Sequence, residues 1–292
     1  MQRQKARSMI SLSEARRRAA RWRSYYFRSQ TIYDIHSPAV YRLAREMVEN
    51  RKTYYILQEV RQLRRVWLQD RRTLERTPQG AGSRAGLSRS PVVVRDLARH
   101  MAVSARAGRF LFHLARLRHP RLMLDLGTGL GFSAAYLAAG SLAGTCVTAE
   151  GCAQTAALAR QSFSRLKLKN VRQLQLSFEA AIPAAASGGH PLDLLHMDGD
   201  HRRQAVVQVW HTARPYLHRQ SVVAISDIRW SEDMESAWEW LKQRPEVTFS
   251  VDLFDLGLLF LEGGPLDKAH YRLVPARWKP WRLGFRPRLP EY

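Results

Sequence analysis

The segment Asp125-Leu126-Gly127-Thr128-Gly129-Leu130-Gly131 decides the fold class. It follows an apolar run and precedes residues 133–139, whose spacing is helical, so three glycines lie where a strand turns into a helix. Glycine lets the backbone approach a ligand closely, and ligands of parallel sheets bind outside the carboxyl ends of the strands. The pattern therefore predicts a ligand-binding turn.

The glycine spacing and the preceding acid indicate what kind of ligand binds. Dinucleotide-binding turns have the pattern G-x-G-x-x-G and direct a helix N-terminus at a pyrophosphate. Here the spacing is G-x-G-x-G, and Asp125 stands two residues before Gly127. A carboxylate at this position repels a pyrophosphate but can help to hold an ammonium group. The turn therefore favours a phosphate-free ligand with a cationic amino-acid end.

Glu150 ends the next predicted strand, 25 residues after Asp125. An acid at the end of the second strand of a βαβ unit is placed to accept hydrogen bonds from both hydroxyls of a ribose. A glycine-rich turn or a strand-end glutamate taken alone is commonly structural. Because both occur in one βαβ unit, the pair indicates a cofactor that contains a ribose.

Short apolar runs alternate with segments of helical spacing over most of the chain. The predicted strands are 121–126, 144–149, 171–176, 192–197 and 221–225, with a terminal pair at 247–251 and 256–261. Strict alternation of strand and helix implies parallel pairing with right-handed crossovers and a sheet covered on both faces. The sequence therefore predicts an α/β fold with seven strands, mostly parallel, of which the last is antiparallel.

The chain divides into four predicted regions. Residues 1–76 form a basic helical N-terminal region with two or three amphipathic helices. Residues 77–91 are rich in Gly, Ser, Arg and Pro and are predicted to be a flexible linker. Residues 92–276 carry the sheet, and residues 277–292 are a basic C-terminal tail.

The charge balance limits the partners. The chain has 47 Lys plus Arg against 25 Asp plus Glu, a net charge of +22, and the excess is concentrated in the N-terminal region. This pattern is typical of a protein that meets nucleic acid or another polyanion there, or of a compositional bias that merely solvates the surface.

Cysteine usage and hydropathy limit the compartment. Two cysteines, Cys146 and Cys152, are too few for a disulfide framework or a structural zinc site. No apolar run reaches the length of a transmembrane segment, and the start lacks the apolar core of a secretory signal. We therefore expect a cytoplasmic location. An Arg-rich mitochondrial transit peptide is the less favoured alternative.

A second group of acids follows two later strands. Strand 192–197 leads into Asp198-Gly199-Asp200-His201, and strand 221–225 leads into Ser226-Asp227. We expect Asp198 and Asp227 to lie side by side on adjacent strands, with His201 one turn away. Such carboxylates suit a hard divalent cation such as Mg²⁺, and an imidazole with an ordinary pKa of about 6.5 suits removal of a hydroxyl proton. The alternative is a hydrogen-bonded turn that only shapes a substrate pocket.

From about 122 to 261 the chain resembles the class I methyltransferases, whose cofactor is S-adenosylmethionine. Residues 125–129 match the first motif of that superfamily, and Ala149-Glu150 matches the second. The resemblance implies a Rossmann-like sheet, with Glu150 on the ribose and residues after the third strand on the adenine. Gly or Asp is common in the family where Ser177 and Glu179 stand here. The implied cofactor-binding residues are Asp125, Gly127, Thr128, Gly129, Gly131, Glu150, Ser177, Phe178 and Asp198.

The acid-rich half resembles O-methyltransferases related to the catechol and caffeoyl-coenzyme A enzymes. Their metal is held by an acid at the position of Asp198 and by an Asp-Asn pair after the next strand. Asp227 matches the Asp, whereas Ile228 replaces the Asn and His201 stands where Lys is common. The resemblance implies Asp198 and Asp227 as metal ligands, and His201, Asp198 and Asp227 as catalytic residues.

The likeness extends further to bacterial methyltransferases that carry an Ile-His-Ser-Pro segment before the core and Asp-Ile-x-Trp-Ser after the fifth strand. Residues 35–38 and 227–231 match these segments. Ser37-Pro38 is also a helix-start signal, with Ser at the N-cap and Pro at the first helical position. This likeness supports the fold but does not identify a methyl acceptor.

The sequence favours O-methylation of a small-molecule hydroxyl. One alternative is an RNA methyltransferase that uses the basic N-terminal region, although the fourth strand ends in Asp-Gly-Asp-His and not in the Asn/Asp-Pro-Pro-aromatic turn of base-amino methylation. Another alternative is a non-catalytic methyltransferase-like binding protein. The oligomeric state stays open, with a dimer among the options.

Overall fold

The computed structural model describes residues 12–75, 91–261 and 268–282. Nearly all of the predicted linker 77–91 therefore lies outside the described residues, as do the start of the N-terminal region and the end of the C-terminal tail.

The described N-terminal part is helical, as the sequence predicts. Its elements are α1 (Leu12–Arg28), α2 (Pro38–Ala44), α3 (Tyr55–Gln69), the short strands β1 (Thr73–Leu74) and β2 (Val92–Val93), α4 (Val94–His100) and α5 (Ala105–Arg118). Helix α2 begins at the predicted Ser37-Pro38 signal, although the Ser37 side chain makes no cap hydrogen bond. Helix α5 is capped by the Ser104 hydroxyl, which accepts from the Ala107 amide at 3.1 Å.

An eight-stranded sheet forms the centre of the described residues. Its strands are β3 (Leu122–Leu126), β4 (Thr145–Ala149), β5 (Val171–Leu174), β6 (Leu192–Met197), β7 (Leu217–Ser226), β8 (Phe249–Asp252), β9 (Leu256–Phe260) and β10 (Ala269–Arg272). Their order is β10-β8-β9-β7-β6-β3-β4-β5, and within the sheet only β9 is antiparallel to its neighbours. The Rossmann-like α/β prediction is confirmed.

The predicted number of strands is wrong, because β10 adds an eighth strand parallel to β8 at the edge of the sheet. Its side chains are half-buried or exposed and include His270 and Arg272. Such a strand has no apolar run for a sequence pattern to detect.

Helices cover both faces of the sheet. Those between the strands are α6 (Phe132–Gly140), α7 (Ala153–Arg165), α8 (Phe178–Ala185), α9 (Arg203–Ala213) and α10 (Glu232–Lys242). Each of these helices follows a strand and returns the chain to the start of the next strand. The carboxyl ends of the parallel strands therefore share one edge of the sheet.

The N-terminal helices share a hydrophobic core with the sheet domain. Val60, Leu63 and Trp67 of α3 are buried in the cluster that contains Leu111 and Phe132. The Trp67 Nε1 donates a hydrogen bond to Ser162 Oγ at 3.0 Å. Burial of each large apolar side chain contributes about 1.5–3 kcal/mol, so α3 is a packed part of the fold.

Helix α1 and the residue that follows it, Ser29, pack against residues that come after strands β8 and β10. Tyr25 is buried against Phe254, with 5.2 Å between the ring centroids, and its hydroxyl donates to the carbonyl of Leu273 at 2.5 Å. The buried Lys279 ammonium donates to the Ser29 carbonyl at 2.6 Å. These contacts hold α1 beside the edge of the sheet where the strands end.

In the part of the chain that the structure describes, no helix has the length and apolar character needed to span a membrane.

Candidate functional site

The glycine turn follows β3 with all three glycines at positive φ. The values are 103° at Gly127, 52° at Gly129 and 85° at Gly131. A Cβ atom built on Gly127 lies 2.4 Å from the Asp198 carbonyl oxygen, whereas one built on Gly129 has no described atom within 4 Å. Gly127 is therefore required by close backbone packing, and Gly129 leaves open space next to the turn.

Glu150 lies beside that open space. One carboxylate oxygen accepts a hydrogen bond from the Gly129 amide, and the other accepts one from the Cys152 amide, both at 3.0 Å. The side chain is 8% exposed. The two amides orient the carboxylate at the end of β4, where the sequence predicts a ribose-binding acid.

Asp125 and Thr128 point away from this space. The Asp125 carboxylate is fully buried and accepts hydrogen bonds from Ser133 and Thr148. The Thr128 hydroxyl lies 2.7 Å from that of Thr148. The side chains of Asp125 and Thr128, two of the predicted cofactor-binding residues, therefore support the turn from the protein interior and do not line the open space beside Gly129.

A cleft opens at the turn, and we call it the glycine cleft. Helix α4 and the residues after it form its outer wall, because Leu97, Met101 and Ala102 line it. The Phe178 ring contacts Gly199, where a Cβ would lie 2.0 Å from a ring atom. Its lining residues are Leu97, Met101, Ala102, Gly127, Gly129, Leu130, Glu150, Gly151, Thr155, Phe178, Asp198 and Gly199.

Ser177, which the sequence predicts to bind the cofactor together with Phe178, does not line the glycine cleft. It is exposed and caps α8, where its hydroxyl accepts from the Ala180 amide at 3.4 Å. It borders a groove on the outer side of Phe178, together with Glu179. The structure therefore assigns Phe178 to the wall of the glycine cleft and Ser177 to its surroundings.

A second cavity of about 180 Å³ adjoins the first, and we call it the acid pocket. Met101, Ala102, Asp198 and Gly199 line both cavities, which therefore meet at the end of β6. The acid pocket is lined by Arg18, His100, Met101, Ala102, Val103, Ser104, Ala107, Asp198, Gly199, His201, Ser226, Asp227, Trp230 and Asp255.

Asp198, His201 and Asp227 come together in the acid pocket, as the sequence predicts. One ligand atom from each lies within 4.8 Å of the other two, and His201 Nε2 lies 3.8 Å from Asp227 Oδ2. The His201 ring lies on Trp230, with 5.2 Å between centroids. Asp227 has φ of 55°, a left-handed conformation that is uncommon for residues other than glycine.

The carboxylates in this pocket repel one another. Burial raises the pKa of Asp198 well above its ordinary value, the charges of Asp227 and Asp125 raise it further, and a hydrogen bond with the Ser226 hydroxyl opposes the shift. Burial and the charge of Asp227 also raise the pKa of Asp255, which Arg18 at 3.2 Å partly opposes. A cation placed between Asp198 and Asp227 relieves this repulsion.

The donor set fits a divalent cation in part. Two carboxylates and one imidazole are within reach of a single ion. Ile228, which the sequence resemblance places at the position of an Asn metal ligand, is fully buried in the apolar core and offers no metal ligand. A metal here would take its remaining ligands from water or substrate.

Two groups of site residues have no sequence signal. Leu97, Met101 and Ala102 precede the glycine turn by more than 20 residues and belong to no motif. Arg18 and Asp255 lie far apart in the chain and meet at the acid pocket as an ion pair. Only the tertiary packing of α1 and α4 brings these residues to the site.

Comparison with known proteins identifies similar domains and folds. Residues 124–228 match the model of a family described as a methyltransferase domain. The cofactor-bound protein Rv0187 from MTB is 25% identical to the chain, with a TM-score of 0.50 over 56% of this chain and 83% of that one. No curated protein sequence matches the chain.

Two further solved structures share the fold at lower identity. The O-methyltransferase TomG from Streptomyces achromogenes, involved in tomaymycin synthesis and solved with S-adenosylmethionine, is 20% identical, with a TM-score of 0.51 over 73% of this chain and 92% of that one. The methyltransferase PaMTH1 from Podospora anserina, solved with S-adenosylhomocysteine, is 14% identical, with a TM-score of 0.51 over 78% and 97%. Residues 124–228 thus match a methyltransferase domain, and the chain shares the fold of these two solved structures.

Proposed function

We propose that this methyltransferase transfers the methyl group to a hydroxyl oxygen of a small molecule. The observation that carries the proposal is the junction of the two cavities at Asp198 and Gly199, where the acid pocket with His201 and Asp227 opens onto the glycine cleft. An acceptor in the first cavity and a methyl donor in the second would meet at this junction. Such positioning accounts for a large part of catalysis in bimolecular reactions.

The glycine cleft suits S-adenosylmethionine. Glu150, already oriented by two backbone amides, would accept hydrogen bonds from the ribose hydroxyls, and Phe178 would contact the adenine. The space next to Gly129 would let the amino-acid end approach the backbone. When bound, S-adenosylmethionine supplies an electrophilic methyl carbon and retains the electron pair of the S–C bond as it becomes S-adenosylhomocysteine.

On the acceptor side, His201 would take the proton of the attacking hydroxyl. The Asp227 carboxylate at 3.8 Å would stabilise the imidazolium that forms. The Trp230 ring supports the His201 ring on one side, and Met101 and Ala102 line both cavities at the junction. Asp198, whose pKa is raised by burial, lies where the glycine cleft and the acid pocket meet.

A divalent cation such as Mg²⁺ forms the second part of the proposal. Asp198 and Asp227 would bind it through oxygen, with His201 as a further ligand or as the base beside it. A cation there would lower the pKa of an acceptor hydroxyl and reduce the need for His201 as a base. Metal dependence therefore distinguishes the two routes.

For the whole chain we propose residues 92–276 as the methyltransferase domain, with 1–76, 77–91 and 277–292 as N-terminal region, linker and tail, and a cytoplasmic location.

The test is a turnover assay with a panel of phenols and aliphatic alcohols, which measures S-adenosylhomocysteine with added Mg²⁺ and with a chelator. We expect turnover of at least one hydroxyl compound and a loss of about 100-fold or more in His201→Gln if His201 is the general base. The matched control is His100→Gln, which changes a histidine in the same pocket and should retain most of the activity. Turnover restricted to amines or RNA would contradict the proposal. If His201→Gln is as active as His100→Gln in chelator, while the wild type still turns over there, the role of His201 as the base is contradicted.

A further inference from the structure

A row of buried polar side chains crosses four adjacent strands beneath both cavities. It consists of Thr148 on β4, Asp125 on β3, His196 on β6 and Ser226 on β7, and we call it the polar row. Asp125 is in register with Thr148 on one side and with His196 on the other. All four side chains are at most 4% exposed. Buried polar groups in such a row are costly unless every one has a partner.

His196 joins the two halves of the polar row. Its Nδ1 lies 2.7 Å from Asp125 Oδ1, and its Nε2 lies 2.9 Å from the Ser226 hydroxyl. On the far side, the Thr148 hydroxyl donates to Asp125 Oδ2 at 2.8 Å. A single imidazole therefore connects strand β3, which carries the glycine turn, to strand β7, which ends at Asp227.

The hydrogen-bonding capacity of these groups fixes the direction of the bonds. An ionised carboxylate only accepts hydrogen bonds, so His196 Nδ1 must carry a proton towards Asp125. The Thr148 hydroxyl has one proton, which it gives to Asp125, so the Thr128 hydroxyl donates to Thr148 at 2.7 Å. The orientation of the Asp125 carboxylate is thus transmitted to a side chain of the glycine turn itself.

The other end of the polar row reaches the acid pocket. Ser226 and Asp198 both line that pocket, and the Ser226 hydroxyl lowers the pKa of the Asp198 carboxylate. Asp198 in turn lies at the junction of the two cavities. The polar row therefore touches one residue of the glycine turn and one carboxylate of the proposed acceptor side.

We infer that His196 is a positioning residue that holds the glycine turn through Asp125 and the Asp198 carboxylate through Ser226. The inference rests on the proposed function for its acceptor side, whereas its cofactor side needs only that S-adenosylhomocysteine binds. It predicts separate effects on cofactor binding and on turnover, because Nδ1 contacts Asp125 below the glycine turn and Nε2 contacts Ser226 on the acceptor side.

Two substitutions separate the ring nitrogens. In His196→Asn the amide can replace Nδ1 and keep the bond to Asp125, but it does not reach Ser226. In His196→Gln the amide reaches the position of Nε2 and leaves Asp125 Oδ1 without a donor. The matched control is His113→Asn, because His113 is also a buried histidine and lies outside the linings described for both cavities.

The first measurement is the affinity for S-adenosylhomocysteine by calorimetry, at a temperature where melting curves show that each variant is folded. We expect His196→Gln to bind about tenfold more weakly than wild type and His196→Asn to stay within about threefold, with His113→Asn unchanged. A purely structural role would lower the melting temperature of all three variants and leave these affinities equal. Equal affinities would therefore overturn the inference, whereas a wild type that does not bind would overturn the proposed function.

The second measurement uses an acceptor that the wild type turns over. We expect His196→Asn and Ser226→Ala to lose kcat about tenfold while the KM for S-adenosylmethionine stays within about threefold. A rise of more than about threefold in the KM of His196→Asn for S-adenosylmethionine would contradict the link from His196 through Ser226 to Asp198. A wild-type kcat in both variants would contradict it as well.

A third measurement uses wild-type protein and therefore does not depend on whether a variant folds. In wild-type protein labelled with ¹⁵N-histidine, the His196 ring should have its proton on Nδ1, with slow exchange because the ring is fully buried. A ring protonated on Nε2 alone would overturn the bond directions on which the inference depends.

Discussion

Replacing Gly127 and Gly129 separately by alanine should separate folding from cofactor binding. In Gly127→Ala the new Cβ would lie 2.4 Å from the Asp198 carbonyl oxygen and 2.8 Å from its carbon, at φ of 103°. Overpacking against backbone costs about 1–3 kcal/mol, and a strained positive φ adds about 1–3 kcal/mol. We therefore expect the free energy of unfolding to fall by about 3 kcal/mol.

Gly129→Ala should behave in the opposite way. Its φ of 52° lies in the left-handed region, and no described atom lies within 4 Å of the new Cβ. The cost to stability should be about 1 kcal/mol. The methyl group would occupy the glycine cleft beside Glu150, so we expect affinity for S-adenosylhomocysteine to fall at least tenfold, which is about 1.4 kcal/mol.

Urea unfolding followed by tryptophan fluorescence measures the first quantity, and calorimetric titration measures the second. Two results would contradict these expectations: Gly129→Ala that binds within twofold of wild type, or Gly127→Ala that is as stable as wild type. Either result would mean that the turn does not approach the ligand as the positions of its glycines indicate.

Three further substitutions test other parts of the account. Burial and the charge of Asp227 raise the pKa of Asp198 in the folded protein, so the folded protein loses stability as pH rises above the ordinary carboxyl range. Asp198→Asn should therefore have a higher free energy of unfolding than wild type at pH 7 in the presence of a chelator. Urea unfolding at lower pH should show this difference disappearing by about pH 3. Trp67→Ala should lower the free energy of unfolding by about 3–5 kcal/mol, because it empties a buried site and removes a hydrogen-bond donor; a loss below 1 kcal/mol would show that α3 is not part of the core. Arg18→Met should change that free energy by less than about 1 kcal/mol, since its ion pair with Asp255 is largely exposed on the arginine side; a larger loss would show that this pair holds α1 in place.

The main features of the fold could be predicted from the sequence because buried parallel strands are continuous apolar runs. Strands 122–126 and 192–197 fit this pattern, and their bounds agree with the prediction within a residue. The edge strand β10 could not be predicted, because it pairs on one side and carries polar side chains. Local pattern detects a strand only where its environment is uniformly apolar.

For the candidate site, sequence predicted positions better than orientations. Asp198, Asp227 and Glu150 end parallel strands, so their common location follows from the topology alone. Whether the Asp125 side chain faces the ligand or the interior depends on its neighbours across the sheet, and here His196 and Thr148 hold it inside. No spacing within one segment contains that information.

The central claim is that the glycine turn and Glu150 form the S-adenosylmethionine site. The most direct test is a calorimetric titration of wild-type protein and of Glu150→Gln with S-adenosylhomocysteine. We predict saturable binding of one ligand per chain in wild type and an affinity lower by about 10- to 100-fold in the variant, since hydrogen bonds to a charged group contribute about 1.5–3 kcal/mol. Absence of binding to wild type, or equal binding by a folded variant, would contradict the claim.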